Sequence, residues 1–155
     1  MNERIKSAHG LLSSYNTVIK QKQIIDEQMF SIFELYRGLS REENSLGGEG
    51  GLYSSYKDEL KNKLVALKIR HGELFLRQRL INSLLDRLPL SEKTVLRRFY
   101  ITGGSHGAAD ELMELLSFEK THIYRLKDRG LEKIGEMLEA LPPLDTLMEE
   151  ADDDA

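Results

Sequence analysis

The sequence predicts an all-α protein: a long antiparallel helical hairpin of coiled-coil character over residues 1–88, followed by a three-helix helix-turn-helix domain over 89–138. Two observations carry this. Apolar residues recur every seven positions along two long stretches, the spacing that keeps one helix face against a neighbour. Beyond Pro89, three shorter stretches of helical period are separated by glycine and serine turns.

In the first stretch, residues 3–39, one row runs Leu11, Val18, Ile25, Ile32 and Leu39, and a second runs Ala8, Tyr15, Lys22, Met29 and Tyr36. Lys22 is the polar break in this seam. Leu12, Ile19 and Phe33 widen the stripe, as a helix packed on two neighbours requires. Residues 40–51, SREENSLGGEGG, have no periodicity and read as a flexible connector, because Gly-Gly pairs remove backbone restraint. The second stretch, 53–88, carries the row Tyr53, Leu60, Leu67, Leu74, Ile81 and Leu88, with Leu64, His71, Gln78 and Leu85 beside it. The polar pair His71 and Gln78, with Gly72, marks a place for a kink or a partner chain.

Proline disfavours helix at the residue before it, so Leu88-Pro89 is a boundary. Ser91 is then the expected N-cap of a helix reaching about Tyr100, with Glu92 near the positive end of its dipole. ITGGSHG ends that helix. AADELMELL follows, with Ala109, Leu112, Met113 and Leu116 inward. Ser117-Phe118 turns the chain, Phe118 plugging the corner. The last helix, Glu119–Leu138, turns Ile123, Leu126, Leu131, Ile134 and Leu138 inward, and Pro142-Pro143 closes it.

Composition narrows the chemistry. Cysteine is absent, which excludes disulfides, thiol nucleophiles and thiolate metal sites. The four histidines lie in four different elements without ligand spacing, so no metal, cofactor or catalytic site is expected. No apolar run approaches the roughly 20 residues of a membrane span, and the N-terminus has no signal-peptide core. A cytoplasmic protein with no membrane partner is expected. The net charge of −4 conceals an uneven distribution: residues 57–87 carry +4 and residues 139–155 carry −7. That last segment has seven acids and no base, and is expected to be a disordered, solubilising tail, or else a mimic of DNA that competes for a basic helix.

Three short helices with a tight turn before the last form the skeleton of a helix-turn-helix. The outward face of the last helix carries Lys120, Thr121, His122, Tyr124 and Arg125, extending to Lys127 and Arg129. Lysine and arginine neutralise phosphates, while Thr, His, Tyr and Arg reach base edges. Each residue has a plainer reading. Lys120 and Arg125 are either contacts or an ordinary solvated face. Arg97 and Arg98 on the first helix either touch phosphate or are merely exposed. Tyr124 is either a base contact or partial core.

The stretch from about residue 84 to 138 resembles region four of sigma factors, and more closely the ArpU/RinA-type transcriptional regulators of phages and prophages in Gram-positive bacteria. Leu88-Pro89, Val95-Leu96 with Tyr100, Glu111-Leu112 with Leu116, and Ile123-Tyr124-Arg125 with Arg129, Leu131 and Ile134 carry the resemblance. Met113 stands where that pattern usually has alanine, Ser117 where it has glycine, and Glu119 where it has serine or threonine. The resemblance implies a transcription regulator of phage genes that binds double-stranded DNA. RNA polymerase, and a second copy joined through the hairpin, are its candidate partners. Two other readings stand beside it: a helical adaptor or polymerase-binding protein without DNA binding, and a small terminase-like packaging subunit.

Overall fold

The computed structural model describes residues 2–45 and 51–141. The protein is all-α, with no strand among the described residues. Helices α1 (Glu3–Ser13), α2 (Tyr15–Ser45), α3 (Gly51–Asp86) and α4 (Leu90–Leu96) are followed by a π-helical turn (Arg97–Ile101), then α5 (Ala108–Leu116) and α6 (Lys120–Ala140). They divide into two compact units, one made of Met1–Asn16 with Leu80–Ala155 and the other of Thr17–Arg79. The sequence boundary at residue 88 is therefore not the boundary of the contacts. Residues 1–16 and 80–88 group with the C-terminal helices.

The Thr17–Arg79 unit is a pair of helices. Lys22 donates to Gln78 at 2.8 Å, His71 lies 3.1 Å from Asp26, and Lys57 lies 2.6 Å from Glu43. These pairs descend α3 as they climb α2, so the two helices run antiparallel. Val18, Ile25 and Leu74 are buried together, with Met29 and Leu67 against them. The seam's polar positions meet one another: Lys22 faces Gln78, and His71 reaches across to Asp26. Pairing of this kind satisfies polar groups that a narrow seam half-buries. Phe33, expected to widen the buried stripe, is half exposed. Gly72 lies inside an unbroken helix.

The connector expected at 40–51 is shorter than its composition suggested, because α2 continues to Ser45 and α3 begins at Gly51. The Glu43–Lys57 contact lies in this added helix and gives its polar residues a partner across the pair. Residues 46–50 of that connector lie outside the described residues.

The helix expected over 3–39 is two helices. Ser14 interrupts it: its hydroxyl and its backbone N–H both go to the Leu11 carbonyl, at 2.6 Å and 3.2 Å. A serine side chain that bonds nearby backbone competes with the helical ladder. The separated α1 packs into the core of the first unit. There Ala8 and Leu12 are fully buried among Ile81, Leu85, Val95, Leu96, Leu112, Ile123 and Ile134. Its closest neighbour is α6, where a Cβ added at Gly135 would stand 2.3 Å from the Arg4 carbonyl oxygen. Only glycine permits that approach. Arg4 and Glu139 form a salt bridge at 3.1 Å, so Glu139, counted with the acidic tail, belongs to a helix. The rest of the tail from residue 142 lies outside the described residues.

Helix α4 is capped by Pro89 and not by Ser91, with no side-chain bond at the cap. The proline ring fixes φ, here −55° with ψ 151°, and the Pro89 carbonyl accepts from the Lys93 N–H at 2.9 Å. The helix expected to reach Tyr100 changes type at Arg97, and the Thr102 N–H bonds five residues back to the Arg97 carbonyl. A π turn shifts the helical register. Here the successive rings of Phe99 and Tyr100 are both buried.

Candidate nucleic-acid interface

Helices α5 and α6 are joined by Ser117, Phe118 and Glu119. Ser117 has φ 57°, the left-handed region, which explains why glycine is usual at this kind of turn. Phe118 does not fill the corner. It is 36% exposed and stacks edge-on against His122, ring centres 4.5 Å apart. The short turn leaves the ring at the surface, while Leu112 and Ile123 supply the buried contact between the helices.

Helix α6 is sharply two-sided. Ile123, Leu126, Gly130, Leu131, Ile134 and Gly135 are buried, and Lys120, Thr121, Tyr124, Arg125 and Arg129 are exposed. A buried carboxylate anchors it to α4. Glu92 is only 2% exposed, and Lys133 donates to both of its oxygens at 2.8 and 3.0 Å. A buried charge is tolerated when it is paired in this way.

The expected contact residues separate into two groups. Among the described residues Lys120, Arg125 and Arg129 take part in no ion pair, and they point to solvent from the first half of α6. Arg97 and Arg98 are engaged within the domain. Arg97 lies 3.4 Å from Asp86, whose carboxyl is held below the usual range by Lys93 and then Arg97. Arg98 donates to the carbonyls of Thr102, Gly104 and His106 and pairs with Glu111 at 2.6 Å. Its bond to Glu111 raises the guanidinium pKa and lowers that of the carboxyl. Arg98 is thus the strut of the GGSHG loop, in which Gly103, Gly104 and Gly107 take positive φ. His122 is partly buried, its ring edge-on to that of Phe118. Tyr124 is both core-edge and surface: 41% exposed, with its ring 5.9 Å from Phe99. Lys127 is covered territory too, its ammonium 4.6 Å from the Phe99 ring centre and 5.8 Å from those of Tyr100 and Tyr124.

No protein-family model, curated protein or solved structure matches this chain. Among the described residues there is no cluster of three or more His, Asp or Glu able to hold a metal ion, and no helix long and apolar enough to cross a membrane.

Sequence reasoning missed the structural roles of Arg98, Glu92 and Tyr100. The Tyr100 hydroxyl meets His9 Nδ1 at 2.7 Å, and burial pushes its pKa up to about 12, helped by the charge of Asp128. The available signal was weak: a charged residue at an otherwise apolar position for Glu92, and a tyrosine at the end of an apolar helix for Tyr100.

Proposed function

We propose that the protein is a DNA-binding transcription regulator in which α5 and α6 act as a helix-turn-helix and α6 enters the major groove. One observation carries the reading. The first half of α6 presents Lys120, Arg125 and Arg129 without ion-pair partners, with Thr121 and Tyr124 between them, while its opposite side is fixed to α1, α4 and α5. An anchored helix with unspent cations near its N-terminus is what phosphate positioning and base contact require. Regulation of phage genes, and contact with RNA polymerase, rest on the resemblance of residues 84–138 to phage regulators and sigma region four.

Acids on the same domain limit the affinity. Asp128 and Glu132 follow on the exposed side of α6, and Asp110, Glu111 and Glu114 are exposed on α5. With Leu115 70% exposed on that helix, α5 favours a second reading, an adaptor whose helix-turn-helix contacts protein.

Duplex binding by the full chain across a salt series separates the two. A regulator binds with an affinity that falls as salt rises. Lys120→Ala or Arg125→Ala each flatten the log–log slope by about 0.9, the contribution of one phosphate contact. Absence of duplex binding at low salt refutes the regulator and leaves the adaptor.

A further inference from the structure

Within the Thr17–Arg79 unit several lysines and arginines lie over aromatic rings. Lys57 and Lys61 lie over Tyr36 at 5.2 and 5.6 Å, Arg37 lies 5.9 Å from the Phe33 ring centre, and Lys22 and Arg79 flank Phe75 at 5.2 and 5.8 Å. A cleft opens between α2 and α3. Ile32, Leu60 and Leu64 supply its aliphatic lining, with Phe33, Tyr36 and Lys61 around them. Lys61 and Lys68, two turns apart along α3, are in no ion pair among the described residues. Two acids of the unit are engaged elsewhere, Asp26 with His71 and Glu43 with Lys57, while Asp58 is exposed one turn before Lys61.

We propose that this cleft docks an acidic peptide segment bearing a leucine or methionine anchor. The aliphatic lining accepts the anchor, and the cations at its edges meet the flanking carboxylates. Charge complementarity chooses this occupant over two others. A second copy would bring the same cationic edges against Lys22, Arg37, Lys61 and Lys68, and like charges repel. Single-stranded nucleic acid needs successive ring faces on which bases stack, whereas the cleft is lined chiefly by the aliphatic Ile32, Leu60 and Leu64. The inference is independent of α6 and of DNA binding.

A suitable probe is a fluorescent peptide with the sequence of residues 139–155, which sets seven acids around Leu141, Leu144, Leu147 and Met148. Anisotropy is measured with the full chain and with a version ending at Leu141, both checked for helix content. Binding to either version supports the proposal when three conditions hold. It weakens with salt, it weakens at least about tenfold in Lys61→Glu/Lys68→Glu, and it is lost when serine replaces the probe's leucines and methionine. Phe33→Ala should weaken binding while leaving the salt slope unchanged. Binding only to the shortened version also supports it and identifies the chain's own acids as competitor. No binding to either version overturns the proposal, as does binding indifferent to the lysine reversals. Oligonucleotide binding through the same lysines, with no peptide binding, overturns it in favour of nucleic acid.

Discussion

Replacing Gly135 by alanine tests how the first unit is assembled. The added Cβ would lie 2.3 Å from the Arg4 carbonyl oxygen and 2.6 Å from its carbonyl carbon and Cβ, where ordinary contact begins near 3.4 Å. Two of these three neighbours are backbone atoms, so no rotamer change relieves the clash. Helix α1 must move off α6 by about 1 Å, loosening Ala8 and Leu12 as it goes. Overpacking of this kind costs about 1–3 kcal/mol, and alanine returns about 1 kcal/mol of helix propensity. Because backbone atoms are the obstacle, the cost falls in the upper part of that range, about 2–3 kcal/mol, and a net loss of about 1–2 kcal/mol is expected. Two other glycines calibrate the number. A Cβ at Gly72 meets nothing within 4 Å, so Gly72→Ala should stabilise by about 0.5–1 kcal/mol. A Cβ at Gly130 meets chiefly the Leu96 side chain, at 2.8 Å from its tip, which can turn aside, so Gly130→Ala should fall between the other two. Urea unfolding followed by far-UV circular dichroism measures the order. If Gly135→Ala proves as stable as the parent, the close α1–α6 approach is wrong.

Other expectations follow from the same domain. Lys133→Met strands the buried Glu92 carboxylate and should cost about 1–3 kcal/mol in urea unfolding, whereas adding Glu92→Leu should recover most of the loss. Arg98→Lys removes the fork that holds three carbonyls. The amides of residues 102–107 should then exchange with deuterium faster while helix content stays constant. Tyr100 is stabilised in its neutral form, with its pKa raised from 10.0 to about 12. The stability it contributes is complete below pH 10 and disappears as pH rises towards 12. Ultraviolet titration should show a late-ionising tyrosine that is missing in Tyr100→Phe.

The seven-residue rows were legible because a repeat encodes which residues share a face, and the buried Val18, Ile25, Leu60 and Leu74 all lie on them. The same reasoning put Ile123, Leu126, Leu131 and Ile134 on the inner side of α6, where they are buried, but put His122 and Lys127 on the outer side, where they are partly covered. It failed where the deciding partner is distant in sequence. The rows run straight through Ser14, yet α1 ends there and packs against α6. The polar residues 40–45 carry no helical period, and their helix includes a contact with Lys57. Within the candidate interface, Arg97, Arg98 and Arg125 look alike in sequence. They differ because Asp86 and Glu111 engage the first two, and neither pairing has a local signature. Gly130 and Gly135 did offer one: glycine inside a helix often marks close packing.

The docking of α1 on α6 also orders events during synthesis. Leu12 leaves the ribosome early, yet its core-mate Ile134 follows about 120 residues later, a delay of about 6–24 s at ordinary elongation rates. Until residues 80–88 emerge the apolar side of α1 has no partner within its own unit, and its main partner, α6, comes last. The nascent chain thus carries an exposed hydrophobic stripe that chaperones can bind, and the domain bearing Lys120 and Arg125 becomes complete only when its last helix has emerged.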